Sequence, residues 1–156
     1  MGLFADSGVN KAKVSGGKGM PLAEGEYILE ITDVRAGKTK KKEPYLEILH
    51  RVVESNNPAQ PIGSMANLFC LFGGEYPDLG AGQALEIATC ASGLDPRGAA
   101  DAKQIAAQDW EKVLEDVVAK PALFVGRKVR CIVNSGKNKK GGTSLYRTYS
   151  PVKETK

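Results

Sequence analysis

Apolar and polar side chains alternate with a period of two in three early stretches, lose that rhythm through a long middle segment, and regain it in two late stretches. Few architectures satisfy that order. In the first stretch, Glu24–Gly37, Tyr27, Leu29 and Ile31 alternate with Ile28, Glu30 and Thr32, the pattern of a half-buried strand. Val34 then falls out of phase, as happens where an extra residue bulges or bends a long strand. Tyr45–Glu54 puts Leu46, Ile48 and Val52 on one face and Tyr45, Glu47, Leu49 and Arg51 on the other. His50 shares the apolar face, which predicts a hydrogen-bonded core or rim histidine rather than a catalyst. Ile62–Phe72 sets Ala66, Leu68, Cys70 and Phe72 against Met65, Asn67, Phe69 and Leu71, and Gly73-Gly74 ends it. Both of its faces are fairly apolar, so part of each should be covered.

The middle segment is helical in pattern. Gln83–Ser92 carries Ala84, Leu85, Ile87, Ala88 and Ala91 at helical spacing, and Gly93 is a suitable stop. Ala99–Ala107 predicts a second short helix. Asp109–Ala119 predicts a third, with Trp110, Val113, Leu114, Val117 and Val118 in one stripe, Asp109 as N-cap and Lys120-Pro121 as terminator. Alternation returns in Val129, Cys131 and Val133, and the tyrosine- and threonine-rich Leu145–Ser150 follows a glycine-bearing turn. Three strands, a helical segment and two strands is the order of an OB-fold. The fold expected is therefore mainly β, a five-stranded OB-fold-like Greek-key barrel whose helical insert covers about 75–120. A single domain is expected over 21–152, after a flexible basic arm at 1–20 and before a short tail at 153–156.

Charge is distributed unevenly. The net charge is +4, yet Glu75–Ala119 holds nine acidic residues against Arg97, Lys103 and Lys112. Arg127–Arg147 holds seven basic residues and no acidic one. Such segregation predicts one face for an anionic partner and another that avoids it. The basic residues gather in two turns, Lys38 with Lys40, Lys41 and Lys42, and Lys137 with Lys139 and Lys140. In an OB-fold these are the loops that flank the oligonucleotide-binding surface of strands two and three.

Other chemistries find little support. Three scattered cysteines, no CxxC and one histidine leave a zinc site short of ligands; Cys70 and Cys131 read as reduced core residues. Gly16-Gly17-Lys18 lacks the spacing of a phosphate loop, and Gly80-Ala81-Gly82 lacks the βαβ setting of a dinucleotide loop. The acids crowd the helical segment instead of converging with the basic turns, which argues against a metal-dependent nuclease. No enzyme and no cofactor are expected. Without an apolar leader or a membrane-length apolar run, the expected location is the cytoplasm.

GEYILEI, the TKKK turn, the apolar second strand, GRKVRCIV and the lysine- and glycine-rich turn before LYRTYSP resemble small phage-encoded single-stranded DNA-binding proteins. The resemblance spans Ala23–Val152 and is one of spacing and residue class. It implies an OB-fold and sequence-tolerant binding of single-stranded DNA in replication or recombination; the further partners expected are phage recombination or replication proteins and a second copy of the chain. Many such proteins end in an acidic tail; this sequence ends Pro151-Val152-Lys153-Glu154-Thr155-Lys156, so recruitment through a tail does not carry over. The expected contacts are Lys38, Lys40, Lys41, Lys42, Arg51, Arg130, Lys137, Lys139, Lys140 and Arg147 for phosphates. Tyr45, Phe69, Tyr146 and Tyr149 are the candidate stackers. For the last strand two facings stay open: Arg147 outward with Leu145 and Tyr149, or Tyr146 outward. The rival function is a structural or protein-interaction OB-like module whose lysines only keep it soluble.

Overall fold

The computed structural model describes residues 22–72, 77–137 and 141–152. The N-terminal arm, the Gly73-Gly74 stop, Lys139, Lys140 and the tail at 153–156 lie outside them. The elements are β1 (Gly25–Lys38), β2 (Pro44–Ser55), β3 (Met65–Leu71), α1 (Pro77–Ala91), α2 (Ala102–Ala107), α3 (Trp110–Ala119), β4 (Lys128–Lys137) and β5 (Thr143–Pro151). All five strands form one antiparallel sheet in the order β3-β2-β1-β4-β5. No backbone ladder joins β3 to β5, so the sheet is open where the sequence led us to expect a closed barrel. Among the described residues, no helix is long and apolar enough to cross a membrane.

β1 is long because it serves two neighbours. Its first residues, Gly25–Glu30, pair with β4, while β2 runs alongside it from Tyr27 to Lys38. The register skips Thr32 on β1 and Val53 on β2. An unpaired residue bends a strand and raises its twist, and here it also moves the buried set from Tyr27, Leu29 and Ile31 to Val34. The phase break in the sequence is this bulge. Below it, Leu29, Ile31, Leu46, Ile48 and Leu68 are fully enclosed, each worth roughly 1.5–3 kcal/mol of burial.

The helices cover the inner face. In α3, Trp110, Leu114 and Val117 are buried, Val113 and Val118 pack beside them, and the Asp109 side chain accepts from the Lys112 N–H. α1 starts well before Gln83, where its periodicity becomes readable. Ahead of Gln83 the sequence holds Gly80 and Gly82, poor helix formers with no side chain to show a period. Gly80 is where α1 meets β3: a Cβ there would stand 1.8 Å from the carbonyl oxygen of Leu71. β3 in turn begins later than expected, because Ile62-Gly63 forms a turn, with Gly63 N–H on the Val52 carbonyl.

Side chains satisfy the two outer strands. On β5, the Tyr149 N–H donates to Glu86 Oε1 at 3.1 Å and the Tyr149 carbonyl accepts from Arg97 Nη1 at 3.2 Å. Glu86 and Arg97 are themselves ion-paired. A carboxylate and a guanidinium thus take the places of the next strand's carbonyl and N–H. On β3, the Asn67 carbonyl accepts from Arg147 Nη1 at 2.8 Å, which draws the far ends of the sheet together without a ladder.

Gly80→Ala tests the seat of α1. The added methyl would overlap backbone, which cannot yield as a side-chain tip can. A loss of about 3 kcal/mol or more is expected, above the usual range for overpacking. The midpoint of chemical denaturation, followed through buried Trp110, reads it.

Candidate nucleic-acid interface

The outer face of the sheet carries the candidate contacts. The β1–β2 turn is tight: Thr39 N–H donates to the Glu43 carbonyl at 2.9 Å and Lys42 N–H to the Thr39 carbonyl at 2.8 Å. Lys42 adopts a left-handed backbone with φ of 64°, a conformation that disfavours a residue with a Cβ. Lys38, Lys40, Lys41 and Lys42 are all exposed. Tyr45 follows directly, because Lys38 pairs with Pro44 and Gly37 with Tyr45.

Tyr45 and Phe69 are stacked, with ring centroids 5.0 Å apart and planes 26° from parallel. Behind the pair, a Cβ on Gly37 would lie 3.0–3.2 Å from the Tyr45 ring and hydroxyl. Tyr45 is thus wedged between Gly37 and Phe69, and Phe69 shows the more open ring, with Met65 exposed on the same strand. Tyr146 repeats the device on β5. It faces outward, and a Cβ on Gly136 would stand 3.2 Å from its Cε2.

Charges on this face are partly cancelled. Arg51 is exposed but bonded to Glu30 at 2.6 Å, and Arg35 to Asp33 at 2.9 Å. Glu47 accepts from Asn67 Nδ2 at 2.6 Å. Arg130 is exposed on β4, in register with Ile28. Lys137 is exposed at the end of β4, beyond the point where β4 leaves β1 at Gly25. Lys137 therefore lies off the Gly25 end of β1, and the Lys38–Lys42 turn off its other end.

Two expected contacts belong to the interior instead. Arg147 and Tyr149 are 4% and 1% exposed. The open question about β5 resolves with Tyr146 outward and Arg147 and Tyr149 inward. Leu145 shares their parity, yet is exposed on the part of the hairpin that outruns the core. Arg147 can be buried because its guanidinium meets the Asn67 carbonyl and, at 3.3 Å, the Tyr149 hydroxyl. His50 continues the chain: Nδ1 donates to the Ala66 carbonyl at 3.0 Å, so Nε2 accepts from the Tyr149 hydroxyl at 3.3 Å. Burial lowers the His50 pKa to about 4; the Ala66 bond opposes this and the Arg147 charge adds to it. Burial raises the pKa of Glu86, against the opposing pull of Arg97. The three cysteines are free and buried, and burial pushes the Cys131 thiol up to about 12.

No protein-family model matches this chain. No curated protein matches it in sequence either.

His50 gives stability a pH dependence of known sign. The unfolded side chain titrates near 6.5 and the folded one near 4. Between those values the unfolded chain takes up a proton that the folded chain refuses. Stability present at neutral pH is thus lost as pH falls through this window, by up to roughly 3 kcal/mol. Glu86, its pKa raised by burial, works in the opposite sense, since its folded form protonates first. Subtracting the denaturation profile of His50→Gln from that of the native chain isolates the histidine. The difference should shrink from pH 7 to pH 4; a constant difference would contradict a buried neutral imidazole.

Proposed function

We propose that this protein binds single-stranded nucleic acid, DNA in the first instance, across the outer face of β2 and β3, on a sheet of OB-like topology. One observation carries the reading: a stacked aromatic pair stands at the foot of a turn with four exposed lysines. Aromatic faces accept any base, and lysines neutralise phosphates without reading sequence. The strand order supports OB-like topology, with neighbours β3-β2-β1-β4-β5 and helices inserted between β3 and β4. The separation of Lys137 from the β1–β2 turn favours a polymer over a mononucleotide. β1 has 14 residues, so its ends lie up to roughly 45 Å apart at about 3.3 Å per residue. A ligand touching Lys137 and the β1–β2 turn is an extended strand. The acidic helical segment lies on the inner face, away from that path. A place in phage replication or recombination is what the sequence resemblance adds.

The contacts we assign are Lys38, Lys40, Lys41, Lys42, Arg130 and Lys137 to phosphates, with Phe69 and Tyr146 to bases and Tyr45 as the support of Phe69. The exposed apolar side chains Ile62, Met65 and Leu145 favour a rival protein-interaction surface, and the same experiment separates the two. Matched single- and double-stranded oligonucleotides are titrated at several salt concentrations. Single strands should bind more tightly. Replacing Lys40, Lys41 and Lys42 by Ala should lower the salt slope by about 0.7 per lost contact. Phe69→Ala should cost about 1–3 kcal/mol and leave the slope nearly unchanged. Tighter duplex binding, or folded variants with native affinity and slope, would hand the surface to a protein partner.

A further inference from the structure

We infer that Glu47 makes the platform selective among bases, favouring guanine and disfavouring thymine. This rests on the single-strand reading above and adds base preference to it. Glu47 points outward from β2 and lies directly opposite Phe69 in the β2–β3 register. Tyr45, two residues earlier on the same face, completes the stack. A base lying on the Phe69 ring therefore has its edge beside a carboxylate.

That carboxylate is held but not neutralised. Asn67 Nδ2 donates to Oε2 at 2.6 Å, and the Asn67 backbone is fixed in turn by Arg147. Arg35, the β1 residue opposite Glu47, is engaged by Asp33 at 2.9 Å. Among the described residues no cation pairs with Glu47. A negative group on a surface for a polyanion repels phosphates, so it suits the side of the path where base edges arrive. An ionised carboxylate only accepts hydrogen bonds, and it has room for several.

Bases differ sharply in what they offer to such a group. Guanine presents N1–H and its 2-amino group side by side, a pair of donors that matches one carboxylate. Cytosine and adenine each present one amino group next to a ring acceptor. Thymine presents one N–H flanked by two carbonyl oxygens, which the carboxylate repels. Unstacked bases in single strands are read on these edges, and a well-formed pair of such bonds discriminates by about 1–3 kcal/mol.

The test uses three labelled oligonucleotides of equal length: all thymine, thymine interrupted by isolated guanines, and the same with inosine, which lacks the 2-amino group. The full-length chain should bind the guanine strand about tenfold more tightly than all-thymine, with inosine between them. Glu47→Gln, checked for native thermal unfolding, should bring the three affinities together, chiefly by improving binding to thymine. Equal affinities for guanine and inosine strands in the native protein would overturn the assignment without recourse to a variant. So would an unchanged guanine preference in Glu47→Gln. If none of the three strands binds, the single-strand reading itself fails, an outcome distinct from binding without preference.

Discussion

An open sheet has two outer strands whose unpaired backbone groups need partners, and in this protein charged side chains supply three of them. The Tyr149 N–H and carbonyl meet Glu86 and Arg97, and Arg147 reaches the Asn67 carbonyl. Two of these bonds bury an ionisable group, Glu86 and Arg147, which is tolerable only when every donor and acceptor is matched. The matching extends inward from Arg147 through Tyr149 and His50 to Ala66, and fixes the imidazole tautomer on the way. Removing one member strands the others in the core. The inner face is therefore committed to holding the sheet against its helices.

That division explains why the outer face has its particular composition. A sheet covered by helices on one side leaves the other to solvent, and there the bulge at Thr32 sets which residues emerge. Aromatic rings pack over Gly37 and Gly136, where the missing Cβ leaves space against the backbone. The rings are held in place by the strands themselves and need no pocket. Preorganised rings lose little freedom when a flat partner arrives.

Much of this was legible in the sequence, and the misses have definite causes. Period two marked the strands, and the phase of Val34 marked the bulge, because both depend only on which side chains face the core. Asp109 as a cap and the Trp110 stripe were readable for the same local reason. The start of α1 was not, since Gly80 and Gly82 carry no side chain to show a period. Ile62 looked like a strand residue, but its backbone turns at Gly63 and leaves it 69% exposed. Arg147 misled through its chemistry. A basic residue is ordinarily placed outside, and its interior position depends on a carbonyl 80 positions away. Glu47 carried no signal alone, for its meaning lies in a register that puts Phe69 and Asn67 beside it.

The span of those contacts has a kinetic consequence. Gly25 pairs with Val133, Glu86 bonds Tyr149 across 63 positions, and Ser135 N–H bonds Glu24 across 111. Closing such loops costs entropy before any contact repays it, and chains dominated by distant pairings fold in milliseconds to seconds rather than microseconds. Until β5 arrives, His50 has no hydroxyl and Glu86 no amide to bind. Docking of β5 therefore supplies partners to two buried groups at once. Without β5 those groups would be left unpaired in the core, and the exposed edge of β4 would be open to pairing with another chain.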